Sequence, residues 1–441
     1  MAAKTRCTIF FCAAAVAAAA SSGLHGQELS EAVERGLVRV LPKLVEVRHQ
    51  LHQNPELGNQ EFETAALVAR RLEDLGMEVR TGIGITGVIG VLQGARPGPV
   101  VAVRADMDAL PVVEATDLPF KSTKRTQFLG QEVGVAHACG HDVHTAVVLG
   151  VAEVLTPLRS ELPGTVMFIF QPAEEGPPPG EEGGASLMLE QGAFDAPRPE
   201  AVFGLHAWPI EVGVVGWAEG PTMASVDHFV FKVRGKQSHG AYPHLGRDPI
   251  VMAAQAVEAF QTIRSRNLSP LEPSVVTVGI IRGGERFNII PGEVHLEGTV
   301  RTFSPDVREE VKRRMDEILD GVTRAGGGSY EIVQYRNNAP ATINDPELAR
   351  RVRPAMARSV GADHVIDTEP TMGGEDFAFF ANEVPGFYFR LGVVAPGTES
   401  GGLHTPDFRA DDSAVEVGIR TMAGIVVDYL ETTPVGERSE D

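Results

Sequence analysis

The sequence predicts an α/β fold with an α+β insertion, and three observations carry that expectation. Strand-like apolar runs alternate with helical patterns along most of the chain, the mark of a sheet flanked by helices. Polar and ionisable residues gather where those runs end, and in α/β sheets ligands bind beyond the carboxyl ends of the strands. Residues 222–331 break the alternation and read strand–helix–strand–strand–helix–strand, a split βαβ order of ferredoxin-like type. The expected division is therefore a larger domain in two parts, 27–221 and 332–441, with 222–331 inserted between them.

The elements follow in chain order. "EFETAALVARRLEDLG" (61–76) carries apolar residues at helical spacing and stops at Gly76. "GIGITG" (82–87) matches a dinucleotide-binding pattern, but the strand-like "VIGVLQG" follows where a helix is required, so it predicts a turn between strands. "PVVAVRAD" is a strand ending at Asp106, and "GTVMFIFQPAEEG" is a strand running out into Glu174 and Glu175. Between them, "DVHTAVVLGVAEVLTPL" predicts a helix that begins behind His141. "AVFGLHAW" is a strand with His206 at its end. Within the insertion, Asp248 before Pro249 and Ser304 before Pro305 mark two helix starts. "DPELARRVRPAMARSVG" predicts a helix kinked at Pro354. "GFYFRLGVV" (386–394) is a strand, followed by a Gly-rich loop with His404 and a final helix at 413–430.

Composition narrows the function. A formal charge of −20 argues against a nucleic-acid surface, and a 43% apolar content supports substantial cores. Lys4 and Arg6 precede an apolar run at 8–20 that is too short to span a bilayer comfortably, and small residues follow. That pattern predicts a secretory signal over 1–26, cleaved between Ala20 and Gln27, with an uncleaved anchor as the alternative; cleavage gives a periplasmic or secreted mature chain with no membrane association. Cleavage would also remove Cys7 and Cys12, leaving Cys139 without a partner for an internal disulfide.

Cys139 lies in "HACGHDVH" (137–144), on a loop entering a helix. A lone cysteine is commonly a buried, inert thiol. Here Cys139 and His141 are two apart and can face one side of an extended segment, and a helix N-terminus favours a thiolate. Thiolate and imidazole suit zinc and other late divalent metals. In "QPAEEG", neighbouring carboxylates on an extended chain point opposite ways, so one can bind metal while the other reaches a water for general-base work. His206 and His404, taken singly, read as ordinary strand and loop histidines. Asp108 can orient a ligand histidine. Together Cys139, His141, Glu175, His206 and His404 supply five donors, more than one zinc uses, which points to two neighbouring metals.

Ten ordered motifs resemble the amidohydrolase branch of the di-metal peptidase and aminoacylase family, which holds hippurate hydrolases, indole-acetyl-amino-acid hydrolases and N-acyl-amino-acid deacetylases. They are "HQNPELGNQEFET", "RADMDALP", "HACGHDVHTA", "QPAEEG", "LHAWP", "SHGAYPHLGRDPI", "NIIPGEV", "GTVRTF", "MGGEDFAFF" and "LHTPDF". The resemblance implies a mixed-sheet, zinc-peptidase-like catalytic domain and makes the insertion a lid and dimerisation domain, hence a homodimer. It implies that Cys139, His141, Glu175, His206 and His404 are ligands of two divalent ions (zinc, manganese, cobalt or nickel) and that Glu174 is the general base. It implies that His239 donates to the oxyanion and that Asn288 and Arg301 bind a substrate carboxylate. Glu375 and Asp376 become supporting candidates. The wider family has His-x-Asp where this chain has Asp106-Met107-Asp108, so Asp106 inherits no ligand role. The expected activity is hydrolysis of an N-acyl amino acid or a small peptide-like amide. Two rivals remain: a hydrolase with Cys139 as nucleophile, and a non-catalytic binding protein on the same fold.

Overall fold

β-branched and aromatic runs build the centre of the large sheet. "PGTVMFIFQ" (Pro163–Gln171) is buried along nearly its whole length, as a strand covered on both faces must be. It pairs in parallel with Arg96–Asp106, which pairs in parallel with Ala201–Glu211, which pairs in parallel with Gly386–Val394. Gly87–Gln93 and Glu78–Ile83 extend one side antiparallel, and Val215–Trp217 with Val365–Asp367 complete the other, giving eight strands of mixed direction. "GIGITG" is the turn between the first two strands, with Gly82 and Gly84 at positive φ.

The computed structural model describes residues 8–433, with side chains from residue 28 onward. The expected signal segment, 1–26, therefore lies outside the fully described residues. Among the described residues no helix is long and apolar enough to cross a membrane.

Two units emerge. The first is Met1–Gly220 with Asn344–Thr368 and Phe380–Asp441, and the second is Pro221–Ile343 with Glu369–Phe379. In the first, the chain leaves Arg96–Asp106 and returns on one side as Pro163–Gln171 and on the other as Ala201–Glu211. That reversal creates a crevice at the strand ends, the place where α/β sheets bind ligands. Sequence alone puts His206 at a strand end, yet its strand continues to Glu211. His206 lies two residues past the last pair with the neighbouring strand, Arg104↔Gly204, so one of its flanks is open.

Helices His141–Leu155 and Ser413–Thr432 pack with the N-terminal helix Thr8–Gln53. The last buries Leu29, Val33, Leu37, Val40, Leu44, Val47 and Leu51. Its spacing of three and four is a plain helical signal that the motif-led reading above passes over. Pro346–Val360 continues through Pro354 and buries Leu348, Val352, Ala355 and Met356.

The second unit orders its strands Ser274–Arg282, Glu293–Thr302, Val226–Arg234 and Ser329–Ala339, every pair antiparallel. With helices Pro249–Thr262 and Pro305–Ala325 this is the ferredoxin-like arrangement. The Asp248 carboxylate accepts from Ile250 and Val251 N–H, and Ser304 Oγ from Val307 N–H, so both helix starts carry their caps. The unit runs past residue 331 because Ser329–Ala339 must complete its pairing with Val226–Arg234.

A buried charge cluster ties the N-terminal helix to His141–Leu155. Arg48 Nε donates to Asp142 Oδ2 at 3.1 Å, and its other nitrogens reach Asp412 Oδ1 and the Ala410 carbonyl. His52 Nδ1 lies 3.0 Å from Asp142 Oδ2 and Nε2 lies 3.1 Å from Glu114 Oε1. Burial pulls the His52 imidazole down, but the Asp142 and Glu114 carboxylates outweigh it and push it up to about 9. A raised histidine contributes its stability in full below pH ~6.5 and loses it as pH rises through the folded value. A change of this size corresponds to at most about 3 kcal/mol. Urea unfolding across that window should show a fall in wild-type stability that His52→Gln lacks. Equal slopes in the two proteins would refute the assignment.

Candidate metal centre

The centre forms where the ends of strands Arg96–Asp106 and Pro163–Gln171 meet one helix start and the middle of strand Ala201–Glu211. Cys139 and His141 flank Gly140, whose φ of +85° turns the chain into the His141–Leu155 helix. Glu174 and Glu175 follow strand Pro163–Gln171, and His206 lies on Ala201–Glu211. His404 is held beside Cys139 because its N–H donates to the Ala138 carbonyl at 2.8 Å.

All five expected donors come together, with Glu174 among them. Cys139, His141 and His206 form one group whose donor atoms lie within 4.8 Å of one another, and so do Cys139, Glu175 and His404. His141, Glu174 and Glu175 form a third such group. Cys139 Sγ is 3.4 Å from His206 Nε2 and 3.3 Å from His404 Nε2, and His404 Nε2 is 2.9 Å from Glu175 Oε1.

Hydrogen bonds aim the imidazoles. His141 Nδ1 lies 2.8 Å from the Asp108 carbonyl, and His206 Nδ1 lies 2.6 Å from the Ala207 carbonyl. A carbonyl only accepts, so Nδ1 carries a proton in both rings and Nε2 is the nitrogen left to face a cation. His141 Nε2 is buried and has no hydrogen-bond partner among the described residues. A buried, aimed nitrogen without a partner, among thiol and carboxylate groups, fits a soft-to-borderline divalent cation that would displace its proton. Asp108 also holds the turn carrying Glu175: its Oδ2 accepts from Glu175 N–H at 2.9 Å.

The other members of "HACGHDVH" hold the frame. His144 Nδ1 donates to Asp106 Oδ1 at 2.6 Å, while its Nε2 accepts from Ala207 N–H at 2.7 Å. It thus ties the His206 strand to Asp106, which Arg104 also grips at 2.7 Å. Asp142 binds Arg48 and His52 as described. His137 is buried, and burial lowers its imidazole to about 4, so it is neutral.

Electrostatics mark this as a cation site. Burial, then Glu175, Glu174 and Asp106, push the Cys139 thiol well up, reversing the depression expected at a helix N-terminus. A thiol in that setting ionises only against a cation. Burial pulls His141 down, but Asp106, Asp108 and Glu175 outweigh it and raise it to about 10. Burial and the neighbouring His144 lower His206 well below its ordinary value.

His239, Asn288 and Arg301 belong to the second unit. His239 is exposed, and its Nδ1 accepts from Ala241 N–H at 3.0 Å, so Nε2 carries the proton and can donate. The strand pair Ser238–His239 with Ile289–Ile290 brings Asn288 close, with Gly240 N–H donating to the Asn288 carbonyl at 2.8 Å. Asn288 Oδ1 is buried without a hydrogen-bond partner among the described residues. Arg301 is half-buried, and burial lowers its pKa. In the same unit, Glu375 is buried and accepts from Phe377 N–H at 2.8 Å.

The chain is also similar to known proteins. Residues 102–428 match the family described as Peptidase family M20/M25/M40. N-acetyl-L-cysteine deacetylase of Bacillus subtilis (strain 168) is 40% identical over 374 residues, 85% of this chain and 85% of that protein. Thermostable carboxypeptidase 2 of Saccharolobus solfataricus is 35% identical over 410 residues, 91% of this chain and 99% of that protein. The crystal structure of the Bacillus subtilis YXEP protein, described as a dinuclear metal binding peptidase from the M20 family, superposes with a TM-score of 0.74 at 36% identity, covering 90% of this chain and 99% of that one.

Gly140 is the geometric keystone between two donors. A Cβ there would lie 2.6 Å from Ala207 Cβ, and the positive φ disfavours any side chain. Gly140→Ala should destabilise the protein by about 1–3 kcal/mol. It should also weaken zinc or manganese binding by about tenfold or more in calorimetric titration. Wild-type metal affinity in the variant would show that this turn does not set the donors.

Proposed function

The chain belongs to peptidase family M20/M25/M40, a family of enzymes that hydrolyse C–N bonds, and on that premise we propose that it is an exported two-metal amidohydrolase cleaving N-acyl amino acids or small peptide-like amides. The convergence of Cys139, His141, Glu175, His206 and His404 around Glu174 carries this reading. We assign those five residues to two divalent ions of the zinc, manganese, cobalt and nickel group. When bound, the ions supply Lewis acidity at the scissile carbonyl and lower the pKa of the hydrolytic water.

The chain's own residues then divide the work. Glu174 accepts the water's proton as its oxygen attacks the carbonyl carbon, and the same carboxyl delivers the proton to the leaving nitrogen as the C–N bond breaks. The products are a free acid and a free amine, with no covalent enzyme intermediate. Asp108 keeps His141 and the Glu175 backbone in place throughout. For the substrate, we assign its carboxylate to Arg301 and Asn288, because a guanidinium forks onto a carboxylate bidentately. His239, with its proton on Nε2, is the donor to the developing oxyanion. We further propose that the protein works as a homodimer through its ferredoxin-like unit.

One observation favours the rival. Cys139 has imidazole nitrogens at 3.3 and 3.4 Å, the spacing of a Cys–His pair. Against it stand the thiol's burial and the carboxylates around it, which keep the proton on sulfur.

Purified enzyme should hydrolyse hippurate-like and N-acetyl amino acids, lose activity to a chelator and regain it with a divalent metal. Activity that survives complete metal removal but dies on alkylation of Cys139 would replace this reading with the cysteine hydrolase. Glu174→Gln should retain its metal content and lose about 10²–10⁴-fold in kcat, the usual worth of a positioned general base. Undiminished turnover in that variant would rule out Glu174 as the base.

A further inference from the structure

"NPELGNQEFET" (54–64) takes no part in the chemistry described so far, yet it lies directly under it. Glu56, Leu57, Asn59 and Glu61 are all buried, Glu61 completely. Burial and then the Asp108 carboxylate push the Glu61 carboxyl group up to about 8, and it has two partners: Oε1 accepts from Ala173 N–H at 2.8 Å, and Oε2 accepts from Thr86 Oγ at 2.6 Å. Ala173 immediately precedes Glu174 and has a φ of +50°, in the left-handed region that an alanine avoids. A Cβ on Gly58 would lie 3.1 Å from Ala173 Cα and 3.0 Å from the Gly176 carbonyl oxygen, so the two segments are in close contact. Asn59 Nδ2 donates at 2.9 Å to both Glu181 Oε2 and the Glu182 carbonyl, farther along the same loop.

Glu174 therefore stands between two captured amides. Glu61 holds the amide on its N-terminal side at residue 173, and Asp108 holds the amide on its C-terminal side at residue 175. We infer that Glu61 is a positioning residue for amide hydrolysis: its buried carboxyl group holds the Ala173 amide and so fixes the turn that aims Glu174 and Glu175. This rests on the two-metal reading above. Without that acceptor, the Ala173 N–H is buried unpaired and the left-handed turn loses what sustains it. The turn then relaxes, and a displacement of about 1 Å at a reacting group costs roughly 10²-fold in rate.

Two substitutions separate positioning from bulk stability. Glu61→Ala removes the acceptor, whereas Glu61→Gln keeps a carbonyl oxygen for Ala173 and an amide that can donate to Thr86 Oγ. In the metal-loaded enzyme, Glu61→Ala should lower kcat on an N-acyl amino acid by about 10²-fold. KM should change by less than about threefold, because the lost interaction is not one with the bound substrate. Glu61→Gln should recover most of kcat. Hydrogen exchange gives a readout independent of activity: the Ala173 amide should exchange at least about tenfold faster in Glu61→Ala and stay protected in Glu61→Gln. Thr86→Val, which removes only the second anchor, should shift both readouts the same way by a smaller amount. That variant also carries the test if Glu61→Ala does not fold. Wild-type kcat and Ala173 protection in Glu61→Ala, or in Thr86→Val where the first variant fails to fold, overturn the inference. So does an equal loss of kcat in Glu61→Gln and Glu61→Ala, which would make the charge the cause. If the metal-loaded wild type is inactive on every N-acyl amino acid tried, the proposed function fails instead, and the exchange measurement alone still decides the clamp.

Discussion

Asp108 is the residue through which the centre is assembled. Its backbone carbonyl takes the His141 Nδ1 proton, its Oδ1 lies 3.2 Å from the same nitrogen, and its Oδ2 takes the Glu175 amide. One short loop after strand Arg96–Asp106 thus fixes a donor on a helix and a donor on a neighbouring strand end. Two residues earlier, Asp106 does the equivalent for the other side, linking Arg104, His144 and through His144 the amide of Ala207 next to His206. Both carboxylates are almost completely buried, a cost borne only where every lone pair finds a donor. Burial raises Asp106, but His141, His144 and Arg104 hold it well below the usual carboxylate range.

This constraint explains the shape of the surrounding fold. Strands Arg96–Asp106 and Pro163–Gln171 must end together for Asp106 and Glu174 to meet, His206 joins them from a strand that runs on to Glu211, and the reversal of strand order beside Arg96–Asp106 opens the crevice there. The helix carrying His141 must be held against the sheet in one rotation. Asp142, one residue on, points away from the donors and is gripped by Arg48 and His52 of the N-terminal helix. Adjacent residues of one helix turn therefore face two charge clusters of opposite duty, one aiming a donor and the other locking the helix that bears it.

How much of this could be read beforehand differs by element. Capped helices such as Pro249–Thr262 and Pro305–Ala325 are local events, and Asp-Pro and Ser-Pro announce them. The four-strand order of the second unit follows from its element order, because the split βαβ connection admits few alternatives. The candidate donors were legible because ten ordered motifs resemble a known family, with Glu174 and Glu175 also marked by the strand end before them. What stayed hidden was partnership across distance. Nothing local in "EFET" says that Glu61 reaches Ala173, 112 positions on, and Arg48 finds Asp412 across 364. The extension of His206's strand to Glu211 was also hidden, since a strand's end depends on where its neighbour stops.

"HACGHDVH" shows why composition overstates a site. Four of its eight residues are histidine or cysteine, and Asp106, His141 and His144 lie close enough together to pass for a metal triad. Hydrogen bonding separates them. His144 gives its proton to Asp106 and its lone pair to Ala207 N–H, so it has nothing left for a cation. His141 donates from Nδ1 to Asp108, and no hydrogen-bond partner among the described residues occupies its Nε2. The two rings lie three positions apart on one helix face, 5.2 Å between centroids, with the same chemistry. What distinguishes ligand from girder is only which acceptor meets Nδ1 and whether a backbone N–H meets Nε2. That choice is made by Asp106 and Asp108 at the end of strand Arg96–Asp106 and by Ala207 within strand Ala201–Glu211, so what this helix offers a cation depends on where those strands place their polar groups as much as on the imidazoles themselves.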